Sequence, residues 1–294
     1  MSKDSSLPSI DNSVIDRLPT LNNSIHELFI LRDDLIHNII SGNKWRKLEM
    51  IINLVLSSNF LGITTYGGPF SNHVLATACA AKLYGIPCTL RIRGEELKPN
   101  SNNLLAYCAS TGAKLEFLTR REYDVVKTSY GLDEYGLFNV PEGGACREGI
   151  LGAMQLGDAA QNFDLVALAQ GTATTSLGLL INSPSITEIW VFPVLKGFSS
   201  MLEMHALAEK TGFLTSFNLN KSRLRSFDNY HFGGYAKGRA MVMDQIKHCD
   251  LKISFPLDPV YTGKAFLGFL SELQKIKEPK KALFIHTGGC FLYS

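Results

Sequence analysis

Leu165-Val166-Ala167-Leu168-Ala169, followed after one residue by Gly171-Thr172-Ala173-Thr174-Thr175 and then by the apolar stretch 176–181, sets the fold class of this chain. The first run is short and apolar without alternation, the pattern of a strand buried on both faces. The small-residue turn and the helical stretch after it complete a strand–turn–helix unit. The alternation recurs. Short runs at 63–66, 88–92, 114–118, 189–194 and 282–286 read as buried strands, and helical patterns occupy 47–57, 72–84, 102–111, 149–162 and 263–276. Strands alternating with helices predict an α/β protein with mostly parallel sheets.

The 294 residues, 45% of them hydrophobic, are ample for one large domain or two closely joined ones. Polar, Gly-rich crossings at 42–46 and 141–144 bracket a stretch expected to form a smaller unit. The expected division is a large domain of residues 1–49 and 149–294, with a small α/β domain, 50–148, inserted in it. A net charge of +2 gives no basic face for nucleic acid. Lys275, Lys277, Lys280 and Lys281 read as a solvated helix end, broken by Pro279. The six cysteines show no C-x-x-C spacing, so reduced, mostly buried thiols are expected, and no metal site. The N-terminus is polar, without the apolar core of a signal peptide, and no run approaches the roughly 18 apolar residues of a membrane span. A cytoplasmic protein without membrane partners is therefore expected.

Four segments have residue types suited to chemistry. Gly171 to Thr175 opens a helix, where free backbone N–H groups, the positive end of the dipole and three hydroxyls suit a phosphate; an ordinary Thr-rich helix cap fits it equally well. It has neither the lysine of a P-loop nor G-x-G-x-x-G, which disfavours a nucleotide. Gly67-Gly68-Pro69-Phe70-Ser71-Asn72-His73 also joins a strand to a helix, and Ser71 or Asn72 would cap that helix; alone, capping is the better reading. In Ser41-Gly42-Asn43-Lys44-Trp45-Arg46-Lys47-Leu48-Glu49, three cations crowd a first helical turn, where they oppose the macrodipole. A bound phosphate would explain them, and a lysine there suits imine formation. Finally, 257–264 (Leu-Asp-Pro-Val-Tyr-Thr-Gly-Lys) and 285–289 (Ile-His-Thr-Gly-Gly) end strand-like runs with small or hydroxylated residues, where ligands of open α/β sheets collect.

Taken in order, GNKWRKLE, the GG..SNH loop, PEGG, DPVYTGKA and the final Gly288-Gly289 resemble the pyridoxal 5′-phosphate (PLP) enzymes of the 1-aminocyclopropane-1-carboxylate (ACC) deaminase and D-cysteine desulfhydrase family. The resemblance spans nearly the whole chain. It implies the tryptophan-synthase-β-like fold (fold type II), two open twisted α/β domains with the cofactor in the cleft, and a homodimer. It places the Schiff-base lysine and Cα-proton base on Lys44, and a phosphate contact on Lys47. Asn72 would bond the PLP 3′-oxygen, and Ser71 the substrate carboxylate. Gly171, Thr172, Ala173, Thr174 and Thr175 would hold the phosphate, with Ala173-Thr174 where many relatives have Gly-Gly. The two active-site tyrosines fall on Tyr235 and Tyr261.

Thr262 falls where ACC deaminases resemble one another in having a Glu set against the pyridine nitrogen. A neutral partner suits elimination with a good leaving group, and D-cysteine desulfhydrases share Thr there. The resemblance thus implies a PLP-dependent lyase that takes a small amino acid, such as D-cysteine, to a 2-oxo acid, ammonia and sulfide. Deamination of ACC or of another amino acid, and a PLP-binding protein of weak catalysis, are the alternatives. Two departures bear on the substrate: Pro69-Phe70 replaces the more usual Ile-Gln, and Cys290-Phe291-Leu292 replaces a Pro-Ala-Leu-like stretch.

Overall fold

The computed structural model describes residues 7–19, 24–234, 237–249, 251 and 253–290. In chain order its elements are β1 (Ile15–Arg17), β2 (Glu27–Leu31), α1 (Asn43–Ser57), β3 (Gly62–Gly67), α2 (Asn72–Leu83), β4 (Cys88–Arg93), α3 (Asn103–Ser110), β5 (Lys114–Leu118), α4 (Arg120–Val126), β6 (Gly131–Leu132) and β7 (Leu137–Val140). There follow α5 (Arg147–Met154), α6 (Leu156–Ala159), β8 (Leu165–Gln170), α7 (Thr174–Asn182), β9 (Glu188–Pro193), α8 (Ser200–Thr211), α9 (Leu214–Asn220), β10 (Leu224–Ser226), α10 (Arg239–His248), α11 (Thr262–Leu273) and β11 (Lys281–Ile285).

The strands form two sheets, ordered β1-β2-β11-β8-β9-β10 and β5-β4-β3-β7-β6. Pairing is parallel except at two edges, β1 with β2 and β6 with β7. This is the parallel-rich α/β architecture that the alternation predicts. β3 and β8 are buried at every residue, which is why their sequences show no polar alternation. The five-stranded sheet is drawn wholly from Gly62–Val140. The seam expected at residues 49 and 50 falls inside α1, whose Leu48, Ile51, Ile52 and Val55 share one core with Val74 of α2 and Leu90 of β4. Ile51 is fully buried there, so Ile51→Ala would cost about 2–5 kcal/mol.

Two features differ from the sequence expectation. The single helix expected over 149–162 is two, α5 and α6, meeting at Gln155. Gly157 accounts for the packing at this junction: a Cβ there would lie 2.5 Å from the Asn182 carbonyl oxygen. The strand β7 was hidden by Asn139, a polar residue in an apolar run. Its side chain is buried and satisfied, accepting from the Tyr66 hydroxyl at 2.6 Å and donating to Asp133 at 3.2 Å.

The chain leaves β3, β7, β8 and β11 at their carboxyl ends, and the segments that follow these ends line one cleft. All six cysteines are free, and burial pushes the Cys79 and Cys88 thiols up to about 12. Among the described residues no helix is long and apolar enough to cross a membrane.

Candidate active site

The site is built around the first turn of α1. Gly42 precedes it with φ +64° and ψ −145°, a backbone region open to glycine and little else. A Cβ there would meet the Thr287 carbonyl oxygen at 2.1 Å, so glycine lets this loop lie against the chain leaving β11. The Gly42 N–H donates to the Asp33 carbonyl at 2.9 Å. Arg46 turns inward, and its Nε and Nη2 each donate to the Asp33 carboxylate at 2.7 Å. This buried, bidentate pair clamps the turn and accounts for one of the three cations. Lys44 and Lys47 have no ion pair among the described residues, and both face the cleft.

Burial pushes the Lys44 amine down to about 8, against the opposing charge of Asp258. Burial pushes Lys47 lower, to about 7, and Lys44 adds to the effect. The Lys47 Nζ donates to the Gly143 carbonyl at 2.5 Å. Two desolvated amines facing a common space, neither with a carboxylate partner, are costly unless an anion or a carbonyl compound joins them.

The cleft has a cavity volume of about 90 Å³ and opens to solvent. On one side Gly171, Thr172 and Thr175 line it, at the start of α7. Thr175 Oγ1 accepts from Asn43 Nδ2 at 2.8 Å, tying this turn to α1. Thr172 and Thr174 hydroxyls lie 3.4 Å apart. Thr174 and Ala173 are buried behind the wall rather than on it. Opposite, Ser71 caps α2 by accepting from the Val74 N–H at 3.3 Å, and Asn72 and His73 follow it onto the wall. Gly289 makes room for Asn72, whose Nδ2 would lie 2.6 Å from a Cβ at that position.

Tyr261 closes the cleft from α11. Its ring lies against Gly171, where an added Cβ would be 3.1 Å from Cε1, and the Lys44 Nζ is 5.8 Å from the ring centroid. Thr262 faces away. Its hydroxyl is fully buried at the start of α11, accepting from the Asp258 N–H at 2.9 Å. Thr287 presents a neutral hydroxyl residue to the cleft instead. Tyr235 lies outside the described residues.

Of the residues singled out from sequence, the structure therefore gathers Lys44, Lys47, Ser71, Asn72, Gly171, Thr172, Thr175 and Tyr261 on one cleft. It adds Asn43, His73, Glu142, Gly143, Ala169 and Thr287. All but Ala169 stand inside the quoted motifs, but nothing in their spacing marked them. His73 is the most informative of them. Thr65 Oγ1 donates to the Val140 carbonyl and lies 3.0 Å from His73 Nε2, so that nitrogen carries the proton. Burial, reinforced by Lys47 and Lys44, pushes the imidazole's pKa well down and keeps it neutral. His73 Nδ1 and Asn43 Oδ1 are buried without a hydrogen-bond partner. The two amines without an ion pair and the helix N-terminus fit a cleft made for an anionic ligand, and the two orphaned atoms, both acceptors, call for a ligand that also donates.

Comparison with known proteins agrees with this geometry. A Pyrococcus furiosus protein named for 1-aminocyclopropane-1-carboxylate deaminase is 32% identical, over 94% of this chain and 88% of its own length. A D-cysteine desulfhydrase of Klebsiella pneumoniae is 28% identical, over 94% of this chain and 90% of its own. Among solved structures, an ACC deaminase homologue superposes with a TM-score of 0.75 at 26% identity, covering 98% of this chain and 95% of that one. No family model matches.

Proposed function

The chain belongs to the family of 1-aminocyclopropane-1-carboxylate deaminases and D-cysteine desulfhydrases, and on that premise we propose that it holds pyridoxal 5′-phosphate on Lys44 and eliminates the β-substituent of a small amino acid. The observation that carries this reading is the Lys44 amine itself, brought down to about 8 in a cleft whose far wall is an anion-ready helix start. An amine so tuned is about one-tenth free at pH 7, several hundredfold more than an ordinary lysine, and so is available as an imine-forming nucleophile. The donors present suit the cofactor. Lys47, the Thr172 and Thr175 hydroxyls and the N–H groups opening α7 would hold its phosphate, and Asn72 its ring oxygen. When bound, the cofactor supplies the electron sink that makes a Cα–H bond acidic.

This chain's own residues do the rest. Lys44 would take the Cα proton at Nζ. Ser71 and the N–H groups of the α2 start hold the substrate carboxylate. Tyr261, with its ring over Lys44, assists proton transfer to the leaving group. Glu142 is the one carboxylate on the described wall, and Thr287 offers a neutral hydroxyl. A neutral partner for the ring nitrogen favours a good leaving group, such as thiolate, over cyclopropane opening. With D-cysteine and water the products are pyruvate, ammonia and hydrogen sulfide. Turnover of D-cysteine and of ACC under identical conditions tests the reading. Pyruvate and sulfide from D-cysteine support it. Preference for ACC, or turnover of neither, overturns the substrate assignment.

A further inference from the structure

Two amines face the cleft, and the freer of them is not the one assigned to the cofactor. Lys47, brought down to about 7, holds its proton less firmly than Lys44, at about 8. By availability alone Lys47 would form the imine. What separates the two is their partners. Lys47 Nζ donates to the Gly143 carbonyl, whereas Lys44 has no hydrogen bond among the described residues and only the Tyr261 ring nearby, its centroid 5.8 Å from Nζ. A second acceptor stands beside Lys47. His73, on the first turn of α2, is buried and lines the same cleft. Its Nε2 proton goes to Thr65 Oγ1 at 3.0 Å, and the Thr65 proton goes to the Val140 carbonyl at 3.0 Å, so Nδ1 is left as an acceptor without a partner. The His73 and Lys47 side chains meet over Gly144. A Cβ at that glycine would lie 3.4 Å from His73 Cε1, the ring carbon bonded to Nδ1, and 3.7 Å from Lys47 Cδ, two bonds short of its amine.

We propose that His73 is a positioning residue which, with the Gly143 carbonyl, reserves Lys47 for the ligand's anionic group and so leaves Lys44 as the amine that forms the imine. This rests on the reading of the cleft as a site for PLP. An ammonium has three protons to donate. When an anion brings Lys47 its proton, one N–H goes to Gly143, one to the anion and one to His73 Nδ1, and no buried group is left over. Leaving Nδ1 unmet in a dry site is costly, so the imidazole favours the ammonium form of Lys47 whenever an anion is bound. An ammonium with all three protons engaged has no lone pair to attack a carbonyl carbon. Thr65 acts one step further out. By taking the Nε2 proton it keeps Nδ1 an acceptor, where the other tautomer would turn an N–H toward the ammonium.

The test is borohydride reduction of the full chain loaded with PLP, read by peptide mass spectrometry. The imine forms from amine and aldehyde with loss of water, and borohydride adds hydride to its carbon, fixing the cofactor on whichever lysine holds it. The parent should carry the label on Lys44. His73→Leu removes the acceptor, and the share of label on Lys47 should rise roughly tenfold, as one lost hydrogen bond to an ammonium implies. His73→Asn, which keeps an acceptor oxygen, should restore the parent's pattern, a rescue that a merely structural role would not give. Thr65→Val should shift label toward Lys47 as well. Label confined to Lys44 in folded His73→Leu overturns the proposal, as does His73→Asn behaving like His73→Leu. If His73→Leu does not fold, Thr65→Val decides in the same way. Should neither fold, the nitrogen NMR spectrum of the parent decides: His73 Nδ1 must move upfield when PLP binds, as an acceptor gaining a hydrogen bond does, and an unmoved resonance overturns the proposal. Failure of the underlying reading shows separately, in the parent alone, as label mainly on Lys47 or no label at all.

Discussion

Gly42→Ala should be costly for the addition of a single methyl group. Two costs add. The backbone stands at φ +64° and ψ −145°, where an L side chain costs about 1–3 kcal/mol. The new Cβ would lie 2.1 Å from the Thr287 carbonyl oxygen and 2.8 Å from the Gly288 nitrogen, both backbone atoms. Neither side yields easily: Gly42 is tied to Asp33 at 2.9 Å, and Gly289 to Ser41 at 3.2 Å. Overpacking of this kind costs about another 1–3 kcal/mol. The sum, about 4 kcal/mol, is a large share of the roughly 5–15 kcal/mol by which a domain is stable. Gly85→Ala is the control. Its φ is +66°, but nothing lies within 4 Å of the added carbon, so only a backbone cost of about 1–2 kcal/mol is expected. Urea unfolding of both variants beside the parent measures the difference. If Gly42→Ala is no less stable than Gly85→Ala, the close approach of the lysine loop to the chain after β11 is refuted. The account built on it then falls too.

Three further outcomes follow from the same geometry. Thr175→Val removes the acceptor of the Asn43 Nδ2 bond, leaving that buried amide without partners on either atom, and should cost about 1–3 kcal/mol in urea unfolding. Folding lowers Lys47 from 10.5 to about 7, so between those values the unfolded chain binds the extra proton and stability rises with pH. From pH 7 to 8.5 the cofactor-free chain should gain on the order of 2 kcal/mol, and Lys47→Met should flatten most of that slope in thermal melts. Tyr261→Phe should keep the cofactor's absorbance but slow elimination on the order of 100-fold, measured as kcat with the preferred substrate.

Much of the fold was legible because its central strands are buried on both faces. β3, β8, β9 and β11 each stand as short apolar runs bounded by turns. β4 and the edge strand β5, which is nowhere fully buried, were read from the same alternation with helices. Other strands at or near the sheet edges were not. β1 is exposed throughout, β6 has two residues, and β7 is interrupted by Asn139. The helices α8 to α10 are largely solvent-facing, so no apolar stripe announces them. In the site, Lys44 and Lys47 were legible because cations in a first helical turn need a reason, whereas Tyr261 was singled out by the family resemblance alone and stands on the loop between α10 and α11 rather than after a strand. Thr262 shows the limit. Sequence places it beside Tyr261, but the N-terminal turn of α11 rotates its hydroxyl into the Asp258 backbone, and the facing hydroxyl comes from Thr287, 25 residues later in the chain. His73 and Asn43 were unreadable for a related reason. Their unpaired atoms exist only once four chain segments have met.

The central claim is that Lys44 carries the cofactor, and the visible absorbance of the purified chain after addition of PLP tests it most directly. The parent should show a band that survives gel filtration and shifts when D-cysteine is added. Lys44→Ala should show only free, removable PLP. A retained band of equal intensity in Lys44→Ala, or none in the parent, would contradict the account.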